Sequence, residues 1–184
     1  NIQNLSPLCG IYETADHKEI EQNYGKAVQA MYPIKGKRTR HYAFYDELDI
    51  KQLSEDRLME DVFEDALKNG EFQLWYQPKV DPVTGNILGA EALIRWKRPD
   101  GTMLSPGKFI PLFEKNGNIT TLDEYVFRTV CAQQQRWLQA GAKLYPISVN
   151  ISRVSLYYSN VVDKYRELLN SFQLDPKYVP LEIT

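Results

Sequence analysis

Only two cysteines and two histidines occur in 184 residues, and this scarcity removes several chemistries at once. Cys9 and Cys131 stand far apart, and no Cys/His cluster has metal-ligand spacing. A disulfide framework and a structural zinc site are therefore not indicated, and both thiols read as ordinary ones in a reducing, cytoplasmic setting. A dominant charge is also missing: the formal net charge is −2 and the pI about 5.8, so no electrostatic pull toward a nucleic acid polymer is expected. No run approaches the ~18 apolar residues of a membrane span, and no signal peptide opens the chain. Both absences are compatible with an anchor carried by other segments of a longer parent. Internal repeats and low-complexity tracts are lacking too. What is present, 43% hydrophobic and 25% charged residues, is the composition of a folded globular protein.

The stretch Glu91-Ala92-Leu93-Ile94-Arg95-Trp96 carries the most information. Read as a strand, it sends Glu91, Leu93 and Arg95 to one face and Ala92, Ile94 and Trp96 to the other. Glu91 and Arg95 then stand about 13 Å apart, too far for an ion pair. A carboxylate in an apolar strand needs a cationic partner, and with Arg95 out of reach a metal ion becomes a candidate. Two further strands repeat the pattern. Tyr145–Ser152 opposes Ile147, Val149 and Ile151 to Ser148, Asn150 and Ser152, and Val179–Thr184 opposes Leu181 and Ile183 to Glu182 and Thr184. Glu91, Asn150 and Glu182 are all oxygen donors, a set suited to hard divalent cations. Singly, each also reads as a polar residue at a strand end satisfied by backbone; three in register favour the metal.

Along the chain, three segments separate. In residues 1–49, Leu8–Glu13 predicts a short strand and Lys18–Met31 a helix with Ile20, Tyr24, Ala27, Val28 and Met31 at helical spacing. A basic turn, Lys35 to Arg40, leads to a strand at His41–Tyr45; the turn reads as a solvated loop or a phosphate site. Residues 50–70 form a linker or coupling segment whose helix, Ser54–Asn69, has an apolar stripe of Leu58, Met59, Val62, Phe63, Ala66 and Leu67, with Ser54 to cap it and Gly70 to end it. It serves equally as the first core helix of the next domain. From Phe72 the turn Asp81–Asn86 predicts an antiparallel hairpin. A helix from Ser105-Pro106 to Glu114 follows, interrupted at Pro111 and closed near Gly117. Thr121 and Glu124 have capping-box spacing for a helix reaching Gly141, and Val161–Phe172 predicts one more. Strands alternating with helices of this length imply βα units around a parallel sheet, an α/β fold.

The segments Phe72-Gln73-Leu74-Trp75-Tyr76-Gln77-Pro78, Glu91-Ala92-Leu93-Ile94-Arg95-Trp96, Phe109-Ile110-Pro111, Val149-Asn150-Ile151-Ser152 and Leu181-Glu182-Ile183-Thr184 resemble, in order and spacing, the EAL domain, the cyclic di-GMP phosphodiesterase family. The resemblance covers residues 71–184 and implies a (β/α)8 TIM-like barrel with an antiparallel first hairpin. A full barrel takes about 250 residues, so less than half of one is expected here. The strand, helix, basic turn and Tyr42-Ala43-Phe44-Tyr45-Asp46 of residues 1–49 resemble the C-terminal edge of a GGDEF (diguanylate cyclase) domain, whose signature loop the segment lacks.

The resemblance makes Glu91, Asn150 and Glu182 catalytic metal ligands for Mg²⁺ or Mn²⁺, which would polarise a phosphodiester and activate a water for hydrolysis to linear pGpG. Arg95 would bind a phosphate oxygen, Gln77 a guanine edge, and Leu93 the nucleotide's floor. Against these, Gln77 also reads as a turn residue and Leu93 as core. The resemblance further implies a homodimer through the EAL region and upstream sensory and cyclase domains. Two alternatives stand beside the phosphodiesterase: a degenerate cyclic di-GMP receptor, and a glycoside hydrolase using Glu91 and Glu182. Asn150 in the ring and Arg95 awaiting an anion argue against the sugar. Since the family's aspartates and lysine fall outside these residues, the 184 residues alone are expected to be inactive and to self-associate.

Overall fold

The computed structural model describes residues 7–14, 19–35, 41–47, 50–157 and 160–184. Most of the basic turn after Lys35, and the expected helix start at Lys18, lie outside them. The chain divides into two compact units, residues 1–57 and 58–184.

In the first unit, β1 (Cys9–Ile11) and β2 (Tyr42–Phe44) pair in parallel, with α1 (Ile20–Met31) between them in sequence. Gly10 is required for this packing, because a Cβ there would lie 1.7 Å from the Ala27 carbonyl oxygen. That close approach explains a departure from the expected stripe. The helix turns its small residues inward, burying Ala30, while Ile20 and Tyr24 remain 74% and 71% exposed.

The helix expected from Ser54 begins earlier and breaks once, as α2 (Ile50–Asp61) and α3 (Phe63–Lys68). Ser54 is thus interior rather than a cap. Met59, Phe63 and Ala66 are buried as expected, whereas Leu58 is half exposed. Gly70 ends the segment with φ +69°, a conformation that costs glycine little.

The second unit is built on one sheet. β3 (Phe72–Val80) and β4 (Ile87–Lys97) form the antiparallel hairpin, closed by a turn in which the Asp81 carboxylate accepts the Val83 and Thr84 amides at 2.8 and 3.2 Å. β6 (Ile147–Ile151) lies parallel to β4, β7 (Leu181–Ile183) lies parallel to β6, and the short β5 (Met103–Leu104) pairs with the end of β4. The order is β3-β4-β6-β7. Gly89 lets the entry of β6 come close, since a Cβ there would sit 2.6 Å from the Pro146 carbonyl oxygen.

Two helices connect β4 to β6. α4 (Pro106–Asn116) starts after extended Ser105 and stops at Gly117, which has φ +89°. It runs on through Pro111, contrary to the expected interruption. A mid-helix proline costs about 3 kcal/mol, but Phe109, Leu112 and Phe113 flank it and are all buried. Burying three such side chains contributes more, at about 1.5–3 kcal/mol each. α5 (Ile119–Gln139) begins so soon after Gly117 that Thr121 is inside it. No capping box forms there, and Glu124 instead pairs with Arg128 and Lys164. α6 (Arg153–Leu156), a short turn of helix with no strong sequence signal, and α7 (Val161–Ser171) lead to β7.

The sheet face bearing Ala92, Val149 and Ile151 packs on Val126, Phe127, Val130 and Cys131 of α5. A second cluster, around Phe63, Phe72, Trp96, Phe109 and Phe113, holds α3 and α4 against the end of the hairpin. Among the described residues no helix is long and apolar enough to cross a membrane.

Candidate functional site

The opposite sheet face carries the polar residues. Gln77 pairs with Glu91, Glu91 with Ser148, and Asn150 with Glu182 across adjacent strands. Side chains alternate along each strand, so Gln77, Lys79, Glu91, Leu93, Arg95, Ser148, Asn150 and Glu182 all share this face. The expected alignment of Glu91, Asn150 and Glu182 is therefore present: three neighbouring parallel strands present them side by side.

Their contacts are specific. Asn150 Nδ2 donates to Glu91 Oε1 at 2.7 Å, and among the described residues the Asn150 carbonyl oxygen and the second Glu91 oxygen have no hydrogen-bond donor. Glu182 is engaged by Lys79, whose Nζ lies 2.5 Å from Oε1 and also donates to Ser148 Oγ at 2.8 Å. The Lys79 ammonium holds the Glu182 carboxyl below its ordinary pKa, with Ser148 adding to the effect. This interaction is present while Glu182 is ionised and is lost as pH falls through its lowered pKa. Lys79 and Glu182 remain 44% and 42% exposed, so solvent screens the pair.

Arg95 lies further along β4 and does not reach Glu91. Its Nη1 donates to the Ile94 carbonyl at 2.8 Å, and its guanidinium sits 5.9 Å from the Trp75 ring centroid. Among the described residues it has no carboxylate partner. Leu93 and Asn150 border a cavity of about 310 Å³ that also touches Ile110, Glu114, Asp123 and Thr184. Gln77 sits on the shared face, beside Glu91 in register but outside the lining of that cavity.

The donor set can be judged by its chemistry. Glu91, Asn150 and Glu182 offer only oxygen, and two carboxylates supply charge for a hard divalent ion. Among the described residues there is no group of three or more His, Cys, Asp or Glu placed to hold a metal. The contribution of this face is thus two carboxylates and an amide, which fits a partial ligand set.

Residues that the sequence reading passed over also converge here. Lys79 was detectable in principle: it follows Gln77 by two residues, so it must share the face of Glu91. Asp123 stands in the apolar stripe of α5 with Val126, Phe127 and Val130, and an acid in such a stripe signals a buried hydrogen-bonded role. It is 6% exposed, and its Oδ2 accepts the Ser152 amide at 3.0 Å and the Ser155 hydroxyl at 2.6 Å. Burial pushes the Asp123 carboxyl up, and these two bonds oppose that shift. Ser152 Oγ in turn donates to Glu114 at 2.6 Å.

Known proteins share this fold. Over 156 residues the chain is 34% identical to the bifunctional diguanylate cyclase/cyclic di-GMP phosphodiesterase MucR of Pseudomonas aeruginosa, covering 84% of this chain and 23% of MucR. The solved structure of the PaMucR phosphodiesterase in complex with cyclic di-GMP superposes with a TM-score of 0.63 at 35% identity, over 67% of this chain and 50% of that one. The Vibrio cholerae LapD S helix-GGDEF-EAL structure, bound to cyclic di-GMP, shares the fold at 18% identity and a TM-score of 0.60, over 95% of this chain and 41% of its own. The chain spans about a quarter of the length of the curated relative and half of the solved phosphodiesterase. The sheet, its antiparallel first hairpin and the flanking helices are those of the TIM-barrel-like EAL fold. The EAL domain family matches residues 60–184, and the chain belongs to that family.

Proposed function

We propose that this chain carries part of the active site of a metal-dependent phosphodiesterase that hydrolyses cyclic di-GMP to linear pGpG. The observation that carries the reading is the row Glu91, Asn150 and Glu182 on three adjacent parallel strands. Glu91 and Glu182 would hold Mg²⁺ or Mn²⁺ with the Asn150 carbonyl oxygen. A divalent ion there supplies Lewis acidity toward the phosphodiester and an activated water. The chain's own residues do the rest. Arg95 offers a forked donor set to a non-bridging phosphate oxygen, with the Trp75 ring centroid 5.9 Å from its guanidinium. Leu93 gives the nucleotide an apolar wall, and Gln77 offers an amide to a base edge. Residues 1–49 are read as the C-terminal part of a cyclase-like domain and residues 50–70 as the segment linking it to the EAL region, supported by the parallel β1–α1–β2 unit and by a GGDEF-EAL structure that shares the fold over 95% of this chain.

The test is hydrolysis of cyclic di-GMP by the intact protein with Mn²⁺, following pGpG by chromatography. Absence of both binding and turnover would overturn the reading. Within it, Arg95→Ala should weaken nucleotide binding about tenfold or more, the scale of one charge-assisted bond at roughly 1.5–3 kcal/mol. Mn²⁺ affinity should be nearly unchanged, since Arg95 and Glu91 stand about 13 Å apart. Titration calorimetry separates the two, and an equal loss of both affinities would make Arg95 a support of the fold.

One observation favours a second reading, nucleotide binding without cleavage: Lys79 already occupies Glu182. The pair is half exposed, so its strength is about 0–1 kcal/mol. A metal can therefore displace Lys79 at small cost. Lys79→Met should raise Mn²⁺ affinity by up to about fivefold, the equivalent of that energy. A fall in Mn²⁺ affinity would instead show that Lys79 orients Glu182 for the ion.

A further inference from the structure

The β6–α6 turn is held from below by a buried acid on α5, which borders the same cavity as Leu93 and Asn150. Asp123, on the second turn of α5, receives two hydrogen bonds from this one turn: the Ser152 backbone amide at 3.0 Å and the Ser155 hydroxyl at 2.6 Å. Ser152 is fixed three times over, because its hydroxyl also donates to Glu114 of α4 at 2.6 Å and accepts the Val154 amide at 3.2 Å, capping α6. The same turn is tied to β7: the Thr184 amide donates to the Ile151 carbonyl at 3.2 Å, and Arg153 Nε donates to the Thr184 carbonyl at 3.2 Å. Asn150 lies two residues before Ser152, and its amide must point at Glu91 across the strand.

Ser152 and Ser155 are 4% and 3% exposed, so the amide and hydroxyl of this turn need an acceptor inside the protein. Desolvating an acid is costly, and a neutral amide at this position would also offer an acceptor oxygen. What the carboxylate adds is a charge-assisted bond to the Ser152 amide, shorter and stronger than a neutral acceptor makes. We propose that Asp123 is a positioning residue, fixing the turn after β6 so that the Asn150 side chain keeps its place beside Glu91 and next to Glu182. The inference rests on the phosphodiesterase reading of the site, in which Asn150 is a metal ligand.

The experiment measures Mn²⁺ affinity by calorimetry, kcat and KM for cyclic di-GMP, and Tm, in the intact protein and four variants. Asn150→Ala tests the underlying reading: it should lower Mn²⁺ affinity, and an unchanged affinity overturns that reading and this inference with it. Given that loss, Asp123→Ala should lower Mn²⁺ affinity about tenfold, the lower end for removal of an outer support of a ligand. Its kcat should fall while KM for the nucleotide stays near the parent value. Asp123→Asn keeps an acceptor oxygen without the charge, so it should fall between the two and speed hydrogen exchange of the Ser152 amide. Ser155→Ala removes the other bond to Asp123 but leaves Ser152 held, so Tm should drop with Mn²⁺ affinity within about twofold of the parent. Should Asp123→Ala fail to fold, Asp123→Asn and Ser155→Ala carry the comparison. Mn²⁺ affinities that follow Tm alike in both, or an unchanged affinity in Asp123→Asn despite faster Ser152 exchange, would reduce Asp123 to a structural acid and overturn the inference.

Discussion

Replacing Glu91 by glutamine should abolish hydrolysis while leaving the protein folded. The exchange is nearly isosteric, and glutamine retains a carbonyl oxygen that can accept the Asn150 amide now donated to Glu91 at 2.7 Å. Glu91 belongs to the middle of β4, paired on both sides, so the strand itself has no reason to move. What disappears is one of the two carboxylate charges on this face, and the other is already shared with Lys79. The loss should therefore be large: Mn²⁺ affinity down by at least about tenfold, the scale of weakening an ion's immediate surroundings. Turnover should fall by about 10³-fold or more, equivalent to about 4 kcal/mol of transition-state stabilisation. Tm should stay within about 2–4 °C, the shift that 1 kcal/mol gives in a protein of this size. Calorimetry with Mn²⁺, a chromatographic assay and thermal melting read the three quantities. Full turnover by Glu91→Gln would remove Glu91 from the ligand set, and with it the reason for grouping Asn150 and Glu182 around it.

The strand alternation made this site legible, because a period of two is fixed by backbone geometry alone. Glu91, Leu93 and Arg95 share a face whatever surrounds them, and the structure needed only to bring β6 and β7 alongside. The hairpin was equally readable, since Asp81 and Gly85 supply a turn by local hydrogen bonding and by φ +71°. Helix boundaries were less so. Pro111 and Thr121 carry local preferences of about 3 and 1 kcal/mol, for breaking and for capping. Both are overruled by burial, in one case of Phe109, Leu112 and Phe113, in the other of Ile119 and Leu122 on either side. Ile20 and Tyr24 failed for a related reason: helical spacing names a stripe but not its centre, and the close approach at Gly10 chose the small side of α1. Lys79 and Asp123 were missed because their roles depend on partners 103 and 32 residues away, Glu182 and Ser155, a separation no local pattern encodes.

Truncating Phe113 to alanine should unfold the second unit or bring it close to unfolding. Phe113 is fully buried in α4, and its ring centroid lies 4.6 Å from that of Phe63, 5.7 Å from Phe109, 5.8 Å from Trp96 and 6.4 Å from Phe72. It is therefore shared by α3, α4, β3 and β4, and no single element can move to fill the space it leaves. Phe→Ala in a close-packed core costs about 3–5 kcal/mol, against a total of about 5–15 kcal/mol for a typical domain. Pro111 sharpens the outcome, because α4 passes through a proline only while its flanking side chains are buried. With Phe113 gone, α4 should fray from Pro111 to its end, and hydrogen exchange should quicken over residues 112–116 before it does elsewhere. Glu114 would loosen with it, releasing the Ser152 hydroxyl it now accepts at 2.6 Å. Chemical denaturation gives the energy, and residue-resolved hydrogen exchange gives the place. A loss below about 1 kcal/mol, the scale of an ordinary surface substitution or less than a methyl-sized void, would show that the aromatic cluster does not hold the hairpin and α4 together.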